Sequence, residues 1–322
     1  MSNALTPIVN GLFAYCRWFI SAWVDLEEDK KVIKKKYDKV KENKELEEMK
    51  KEIQEYKNKL ASLEMPKMLP YKYIWTNSKG TLRVCIGYDL YNDPVWIDFY
   101  KNNHLLIAGA TGYGKTSIIR TILISLMLTY DKDHLKIILV DFKNTDLPPF
   151  EIYQQVNREC IFEEDRFNKM LDSLSKEGKE RANKIREKGY FNIIDYNEAE
   201  ADKIKPVIVV IDEVSQICDN TKLRDKLIKC MGLVRAYGIY FIVATQIPSK
   251  DTVGKIKSHT IHRIGLATAD KVDSDMIIKN ANLQDIKDKG RCKYDVDGKL
   301  ILTQSFFTQM EDVKGYLKYL QK

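Results

Sequence analysis

The stretch His104-Leu-Leu-Ile-Ala-Gly-Ala-Thr-Gly-Tyr-Gly-Lys-Thr-Ser117 decides the fold. Leu105 to Ala108 is a short apolar run that reads as a buried strand. It passes directly into Gly109, Ala110, Thr111, Gly112, Tyr113, Gly114, Lys115 and Thr116, a full G-x-x-x-x-G-K-[ST] phosphate loop. Glycines in such a loop let the backbone wrap so that several N–H groups converge on one anion. A helix is expected from Lys115, apolar at Ile118, Ile119, Ile122, Leu123 and Leu126, and its positive N-terminal end adds to the same point. Residues 109 to 117, Ser117 included, are the expected nucleotide-binding set. Lys115 supplies a mobile charge for the β- and γ-phosphates, and the Thr116 hydroxyl is a ligand for Mg²⁺. ATP and Mg²⁺ are therefore the expected ligands. The strand before and the helix after separate this pattern from a mere glycine-rich turn.

A second signal lies downstream. Pro206 is followed by Val207, Ile208, Val209, Val210 and Ile211, a β-branched buried strand that ends in Asp212 and Glu213. Ligands of open α/β sheets bind beyond the carboxyl ends of their strands. Asp212 is placed to support the metal. Glu213 is placed to orient and polarise a water for in-line attack on the γ-phosphate. Another buried strand, Ile239 to Ala244, ends in Thr245 and Gln246, and the Gln246 amide is placed to sense the γ-phosphate. Arg235 and Arg263 are candidates for an arginine offered to a neighbouring subunit's phosphates. Ser249 to Ser258, SKDTVGKIKS, reads as a flexible basic loop, either solvated or facing the channel of a ring.

Around these signals strands alternate with helices. Leu82 to Tyr88 and Val95 to Phe99 read as strands on either side of a turn, and Leu135 to Val140 as a strand ending in Asp141-Phe142-Lys143. Phe162 to Lys188 reads as a charged amphipathic helix closed by Gly189, and Leu223 to Tyr237 as another helix. Ile261 to Ala267 is a further strand, and Asp297-Gly298 joins a final hairpin. The expected architecture is α/β, with a mostly parallel sheet covered by helices on both faces.

The chain has 322 residues, 44% of them hydrophobic, enough for a sizeable core. Its net charge of +7 fits a polyanionic partner and equally a lysine-rich soluble protein. The six cysteines, at 16, 85, 160, 218, 230 and 292, form no C-x-x-C pair and read as reduced thiols of a cytoplasmic protein. His259 and His262 have H-x-x-H spacing but no nearby acidic or cysteine partner, which argues against a metal site.

Ahead of this lies an appendage. Residues 1–27 form an apolar N-terminal segment. Its stretch LTPIVNGLFAYCRWFISAWV, residues 5–24, has nearly the length of a bilayer span but carries Asn10 and Arg17. A membrane anchor, an interfacial helix and a helix packed on protein all fit it, the first two at the inner face of the cell membrane. Residues 28–66 are densely charged. Met49, Ile53, Tyr56, Leu60 and Leu63 make a short heptad seam, either a coiled coil or a helix lying on its own domain. Pro66 and Pro70 close the segment, and the globular motor region is expected over 67–322.

With these residues in view, the chain resembles the FtsK/SpoIIIE family of DNA-pumping ATPases over roughly Gly87 to Gln304. Pro94 to Thr116 is similar to the family's approach to its phosphate loop, and Asp141-Phe142-Lys143 to its Asp-Pro-Lys strand end. Gly189 and Tyr196-Asn197 continue the likeness. The most specific stretch runs from Arg235-Ala-Tyr-Gly-Ile to Ala244-Thr-Gln-Ile-Pro-Ser249, followed by Lys271-Val-Asp-Ser274 and Gly290. The resemblance implies a RecA-like P-loop fold, a homo-oligomeric and hexameric ring on double-stranded DNA, and ATP-driven translocation. It favours Arg235 over Arg263 as the arginine offered in trans. It carries the family's DNA contacts onto Lys257 and Lys271. Ile247, Asp275 and Arg291 depart from the family pattern, which puts the placing of the DNA grip in doubt. No room remains for the family's winged-helix domain, and a short single-motor chain looks more like the transfer ATPases of plasmids, integrative elements or phages. Two alternatives stand beside this reading: a protein-secretion ATPase of the type VII class, and a membrane adaptor that binds ATP without turning it over.

Overall fold

The computed structural model describes residues 65–321, except 77–79, 158, 218 and 250–252. The apolar segment at 5–24, the charged stretch up to residue 64, Cys16 and Cys218 lie outside the described residues.

One ten-stranded sheet organises the domain. Its strands are β1 (Leu69–Pro70), β2 (Arg83–Asp89), β3 (Pro94–Asp98), β4 (Leu105–Ala108), β5 (Lys136–Asp141), β6 (Val207–Asp212), β7 (Ile239–Thr245), β8 (His262–Gly265), β9 (Arg291–Val296) and β10 (Lys299–Phe307). Their order is β3-β2-β10-β9-β8-β4-β7-β6-β5, with β1 added to β10. From β8 to β5 every pair is parallel, and the central strands β4, β6 and β7 are almost unbroken apolar runs because both faces are covered. From β8 to β3 every pair is antiparallel, so the sheet is more mixed than the sequence suggests. The final hairpin accounts for this. β10 runs on to Phe307 because β9, β2 and β1 pair with successive parts of it.

The helices are α1 (Phe99–Asn102), α2 (Lys115–Thr129), α3 (Glu164–Glu187), α4 (Ile193–Ala199), α5 (Thr221–Val234), α6 (Lys271–Ile277) and α7 (Met310–Leu317). α2 is buried nearly all round, Ile118 to Met127 packing with β2, β10 and α7, as its almost unbroken apolar sequence requires. α3 and α5 pack on one another over the other face of the parallel strands, with Phe167, Leu171, Leu227 and Met231 in that core. Gly189 caps α3 in the left-handed conformation, as its position after the helix predicts. α4 and α6 escape notice in the sequence because seven residues carry too little periodicity; the Asn192 and Asp270 side chains cap them.

The outer edge of β5 is covered by Gln155, Asn157 and Ile161, which exchange backbone bonds with Ile137, Leu139 and Asp141. The other edge, β3, has five residues and begins with Pro94. Among the described residues, Cys85, Cys160, Cys230 and Cys292 are buried free thiols. No described helix is long and apolar enough to cross a membrane.

Candidate nucleotide site

Strand register assembles the site. β4 lies between β7 and β8, with Ala108 beside Thr245 and Gly265. Asp141 pairs with Asp212 at the ends of β5 and β6. The carboxyl ends of four parallel strands therefore deliver Ala108, Asp141, Asp212 and Thr245 to one rim.

The phosphate loop is fastened to that rim through its backbone. Gly109 N–H donates to Thr245 O at 3.4 Å and Ala110 N–H to Ala267 O at 2.8 Å. A Cβ on Gly109 would stand 2.6 Å from Leu266 Cβ, so only glycine lets the loop leave between its neighbours. Gly114, at φ 110°, turns the chain into α2 and lies against Gly290, whose N–H donates to Tyr113 O at 2.8 Å. Gly290, picked out in the sequence only by likeness, thus ties the start of β9 to the loop. Lys115 opens α2 and is buried, and burial holds its ammonium below the ordinary lysine range against the pull of Asp212 and Glu213. Thr116 follows at the same turn. Ser117 is turned away: its hydroxyl donates to Phe306 O at 3.0 Å and accepts from Thr308 N–H at 2.7 Å. Only its backbone is left for an anion.

Glu213 is the most constrained residue of the site. It holds φ 58°, a left-handed backbone that side-chain-bearing residues seldom adopt and that marks functional sites when the surroundings enforce it. Its Oε1 accepts from Ser215 Oγ, from Thr245 Oγ1 at 3.0 Å and from Gln246 N–H at 3.1 Å. Its Oε2 faces Lys143 Nζ at 3.3 Å and Lys115 Nζ at 3.7 Å. Burial alone would raise this carboxyl, but the bonds from Ser215 and the Gln246 N–H, with the Lys115 charge, hold it below the usual range and keep it ionised. The Gln246 side chain turns to the phosphate loop, where its Oε1 accepts from Thr111 Oγ1 at 2.6 Å.

Asp212 is buried, and burial pushes its carboxyl up to about 6, Lys115 opposing and Asp141, Asp146 and Glu213 reinforcing. Its Oδ1 is buried with no hydrogen-bond partner. A buried carboxylate oxygen without a donor needs a cation or an ordered water. Together with the Thr116 hydroxyl this donor set fits a hard divalent ion such as Mg²⁺.

Asp141 does something different. Its Oδ1 accepts Lys143 N–H at 3.0 Å, and its Oδ2 accepts those of Thr145, Asp146 and Leu147 at 2.9, 2.8 and 3.1 Å. It is the anchor of the loop after β5. Asp146 in that loop accepts from Arg120 Nη2 of α2 at 3.0 Å, which closes the wall beside Lys115. Lys143, Ser215 and Thr245 thus belong to the site, though the sequence offers none of them a role, and Thr111 of the expected nucleotide-binding set joins them through Gln246. The signal that reaches them is position: each directly follows or ends a strand or turn already assigned to the rim.

The remaining candidates lie elsewhere. Arg235 is exposed, in a short 3-10 turn (Arg235–Tyr237) ahead of β7, at the rim opposite the phosphate loop. It is out of reach of its own chain's site. Arg263 is engaged, its Nη1 3.3 Å from Asp295 Oδ2 and its Nη2 donating to Lys257 O at 3.2 Å. Lys271 is exposed at the start of α6. Lys257 Nζ donates to the carbonyls of Asp275 and Met276 at 3.3 and 3.1 Å. The expected flexible loop at 249–258 is corrected in its second half: Val253 and Ile256 are buried, and Lys257 N–H donates to Val253 O in a helical turn. Arg291 is also structural, its guanidinium held by Gln304, Asp288 and the Met65 and Pro66 carbonyls. Among the described residues no group of His, Cys, Asp and Glu has the makings of a metal cluster. His262 instead bonds Asn102, and the His259 ring lies against Gly232.

Comparison with known proteins bears on the fold and on the likeness of the chain. A model of the FtsK/SpoIIIE family matches residues 71–229. The DNA translocase SftA of Bacillus subtilis (strain 168) is 29% identical over 254 residues, covering 76% of this chain and 27% of that protein. The DNA translocase FtsK of Caldanaerobacter subterraneus subsp. tengcongensis is 28% identical over 250 residues, covering 76% and 35%. The chain thus spans about a third or less of the length of these curated relatives. Among solved structures, the pCW3 conjugation coupling protein TcpA, a monomer with ATPγS, superposes with a TM-score of 0.67 at 29% identity, covering 80% of this chain and 75% of that one. EssC (ATPases 2 and 3) from Geobacillus thermodenitrificans superposes with a TM-score of 0.71 at 19% identity, covering 80% and 51%, and shares the fold.

Proposed function

We propose, from the premise that this chain belongs to the FtsK/SpoIIIE family, that it hydrolyses ATP and uses the energy to move double-stranded DNA. The observation that supports hydrolysis most is Glu213. It is buried, ionised, fixed through Oε1 by Ser215, Thr245 and Gln246, and presents Oε2 beside Lys115 at the phosphate loop. A site that only held a nucleotide would gain nothing from a strained, fixed carboxylate there.

In this reading the backbone from Gly109 to Ser117 cradles the phosphates and Lys115 crosses from Glu213 to the β- and γ-phosphates. Asp212 and Thr116 hold Mg²⁺, which when bound neutralises charge on those oxygens. Glu213 accepts a proton from the attacking water. Gln246, already bonded to Thr111, senses the γ-phosphate beside it. Arg235 completes the site of a neighbouring copy in a ring, taken as hexameric, because its place on the opposite rim suits only another chain. Lys271 is the more available of the two proposed DNA contacts, since Lys257 is held by carbonyls.

The likeness to TcpA, a conjugation coupling protein, supports transfer of mobile-element DNA as the setting. Work at the inner face of the membrane, with residues 5–24 as the contact, goes with it. The likeness to EssC is one of fold and does not favour protein secretion. The test is ATP turnover of the full chain with and without long double-stranded DNA, beside Glu213→Gln, across a range of salt. Turnover stimulated by DNA, weakened by salt and lost in Glu213→Gln is the expected result. Turnover indifferent to DNA at every salt concentration would refute the DNA assignment.

A further inference from the structure

We infer that Lys143 is a positioning residue for hydrolysis: it holds the Oε2 side of Glu213 after phosphates draw Lys115 away. The inference rests on the ATPase reading above. Glu213 Oε2 faces two cations, Lys143 Nζ at 3.3 Å and Lys115 Nζ at 3.7 Å. The two are not equivalent. Lys115 opens α2 within the phosphate loop and is the charge such loops carry to the β- and γ-phosphates. A phosphate therefore competes with Glu213 for Lys115, and Glu213 loses that partner at the moment it must act.

Lys143 stands on a separate support. Its own N–H is taken by Asp141, which also holds the N–H groups of Thr145, Asp146 and Leu147. Phe142 next to it packs edge-on against Phe167, ring centres 5.4 Å apart. Asp146 further along is pinned to Arg120 of α2. A lysine on a free loop gives up much rotamer freedom to keep one ion pair; here the backbone beneath it is already fixed. Nothing in that support depends on Lys115, so the Lys143–Glu213 pair survives its departure.

The geometry also leaves room for water. An ionised carboxylate oxygen has about two lone-pair sites, which a third donor can only share. Oε1 already accepts three donors. With Lys143 on one side of Oε2, the other side remains for the attacking water. Two fixed oxygens set the carboxylate plane, and that plane sets the direction in which the water's lone pair points.

The experiment uses the full chain with saturating DNA. It compares wild type, Lys143→Met, Lys143→Arg, Glu213→Gln and the double variant Lys143→Met/Glu213→Gln. The readouts are kcat for ATP, the Kd of a non-hydrolysable ATP analogue and the melting temperature. Expected for Lys143→Met is a kcat lower on the order of ten- to a hundredfold, the scale of a misplaced catalytic group, with Kd and melting temperature unchanged. Lys143→Arg recovers most of the rate. In the Glu213→Gln background, Lys143→Met causes no further loss, because it acts only through that carboxylate. An equal loss in both backgrounds overturns the inference, as does a weakened Kd with kcat intact, which would make Lys143 a phosphate contact. A rate lost in Glu213→Gln but kept in Lys143→Met removes the Lys143 role and leaves hydrolysis standing. Wild-type protein with no turnover overturns both.

Discussion

Replacing Asp141 tests whether the wall beside the phosphate loop is built as described. Its buried carboxylate accepts four backbone N–H groups, from Lys143, Thr145, Asp146 and Leu147. Asp141→Asn keeps one oxygen for the three bonds now made to Oδ2 but removes their charge. A hydrogen bond to a charged group contributes about 1.5–3 kcal/mol and a neutral one about 0.5–1.5. The difference over three bonds, with the Lys143 N–H turned to water and the easier burial of an amide set against it, leaves a loss of about 3 kcal/mol. Asp141→Ala removes both oxygens and leaves all four N–H groups without their acceptor. Lys143 and Thr145 are exposed and can find water, but Leu147 is buried and its N–H is stranded, for a total of about 5 kcal/mol. For a domain of this size these values lower the melting temperature by roughly 6–12 °C and 10–20 °C respectively. Thermal unfolding followed by circular dichroism is the assay, with nucleotide turnover measured below the transition. Turnover should fall in both variants, since Lys143 and Asp146 lose their seat. Melting within about 2 °C of wild type for both variants, less than one kcal/mol would produce, would refute the claim that Asp141 holds this loop.

Three further outcomes follow from the same geometry. His104 is fully buried between Phe241 N–H and Met231 O, and burial, with His259 and Arg235 adding to it, lowers its pKa to about 4. A histidine depressed from 6.5 gives stability that is complete above pH 6.5 and lost as pH falls toward 4, about 3 kcal/mol in all; His104→Gln should flatten that part of a urea-unfolding pH series. Arg235→Ala should leave melting unchanged and abolish ring turnover, while Arg263→Ala, which breaks the pair with Asp295, should lower melting; mixing Arg235→Ala with Glu213→Gln subunits should restore more activity than random mixing of dead subunits, and no recovery would refute the trans role. Lys271→Glu should weaken DNA stimulation and its salt dependence more than Lys257→Glu, and equal effects in a DNA-stimulated ATPase assay would show that the Lys257 carbonyl contacts open on binding.

What was legible in the sequence is what local chain chemistry determines. Leu105–Ala108, the phosphate loop and α2 are contiguous, so strand, turn and helix announce one another. The strand ending in Asp212 and Glu213 was equally plain, because only a doubly covered strand tolerates so apolar a run. The antiparallel half was less so. Cys292 to Tyr294 and Leu300 to Leu302 read as a small hairpin, and nothing local to Thr303–Phe307 says that β2 and β1 will pair with it. The grip on Glu213 was invisible for a like reason. Ser215, Thr245 and Lys143 are ordinary polar residues until the β5–β6–β7 register brings them to one carboxylate. Lys257 misled in the other direction: a basic residue in a polar stretch reads as solvated, yet buried Val253 and Ile256 turn that stretch into the domain.

Both borders of the ten-stranded sheet are spoken for. Gln155, Asn157 and Ile161 occupy the outer hydrogen-bonding positions of β5, and the opposite border is a five-residue strand headed by a proline. Copies of this domain therefore have little means of joining by extending one sheet into the next. Association between them falls instead to side chains on rims and helices, contacts that form and break without melting any backbone ladder. In the ring proposed above, where neighbours would shift against one another with each nucleotide, that would keep the joints separate from the frame.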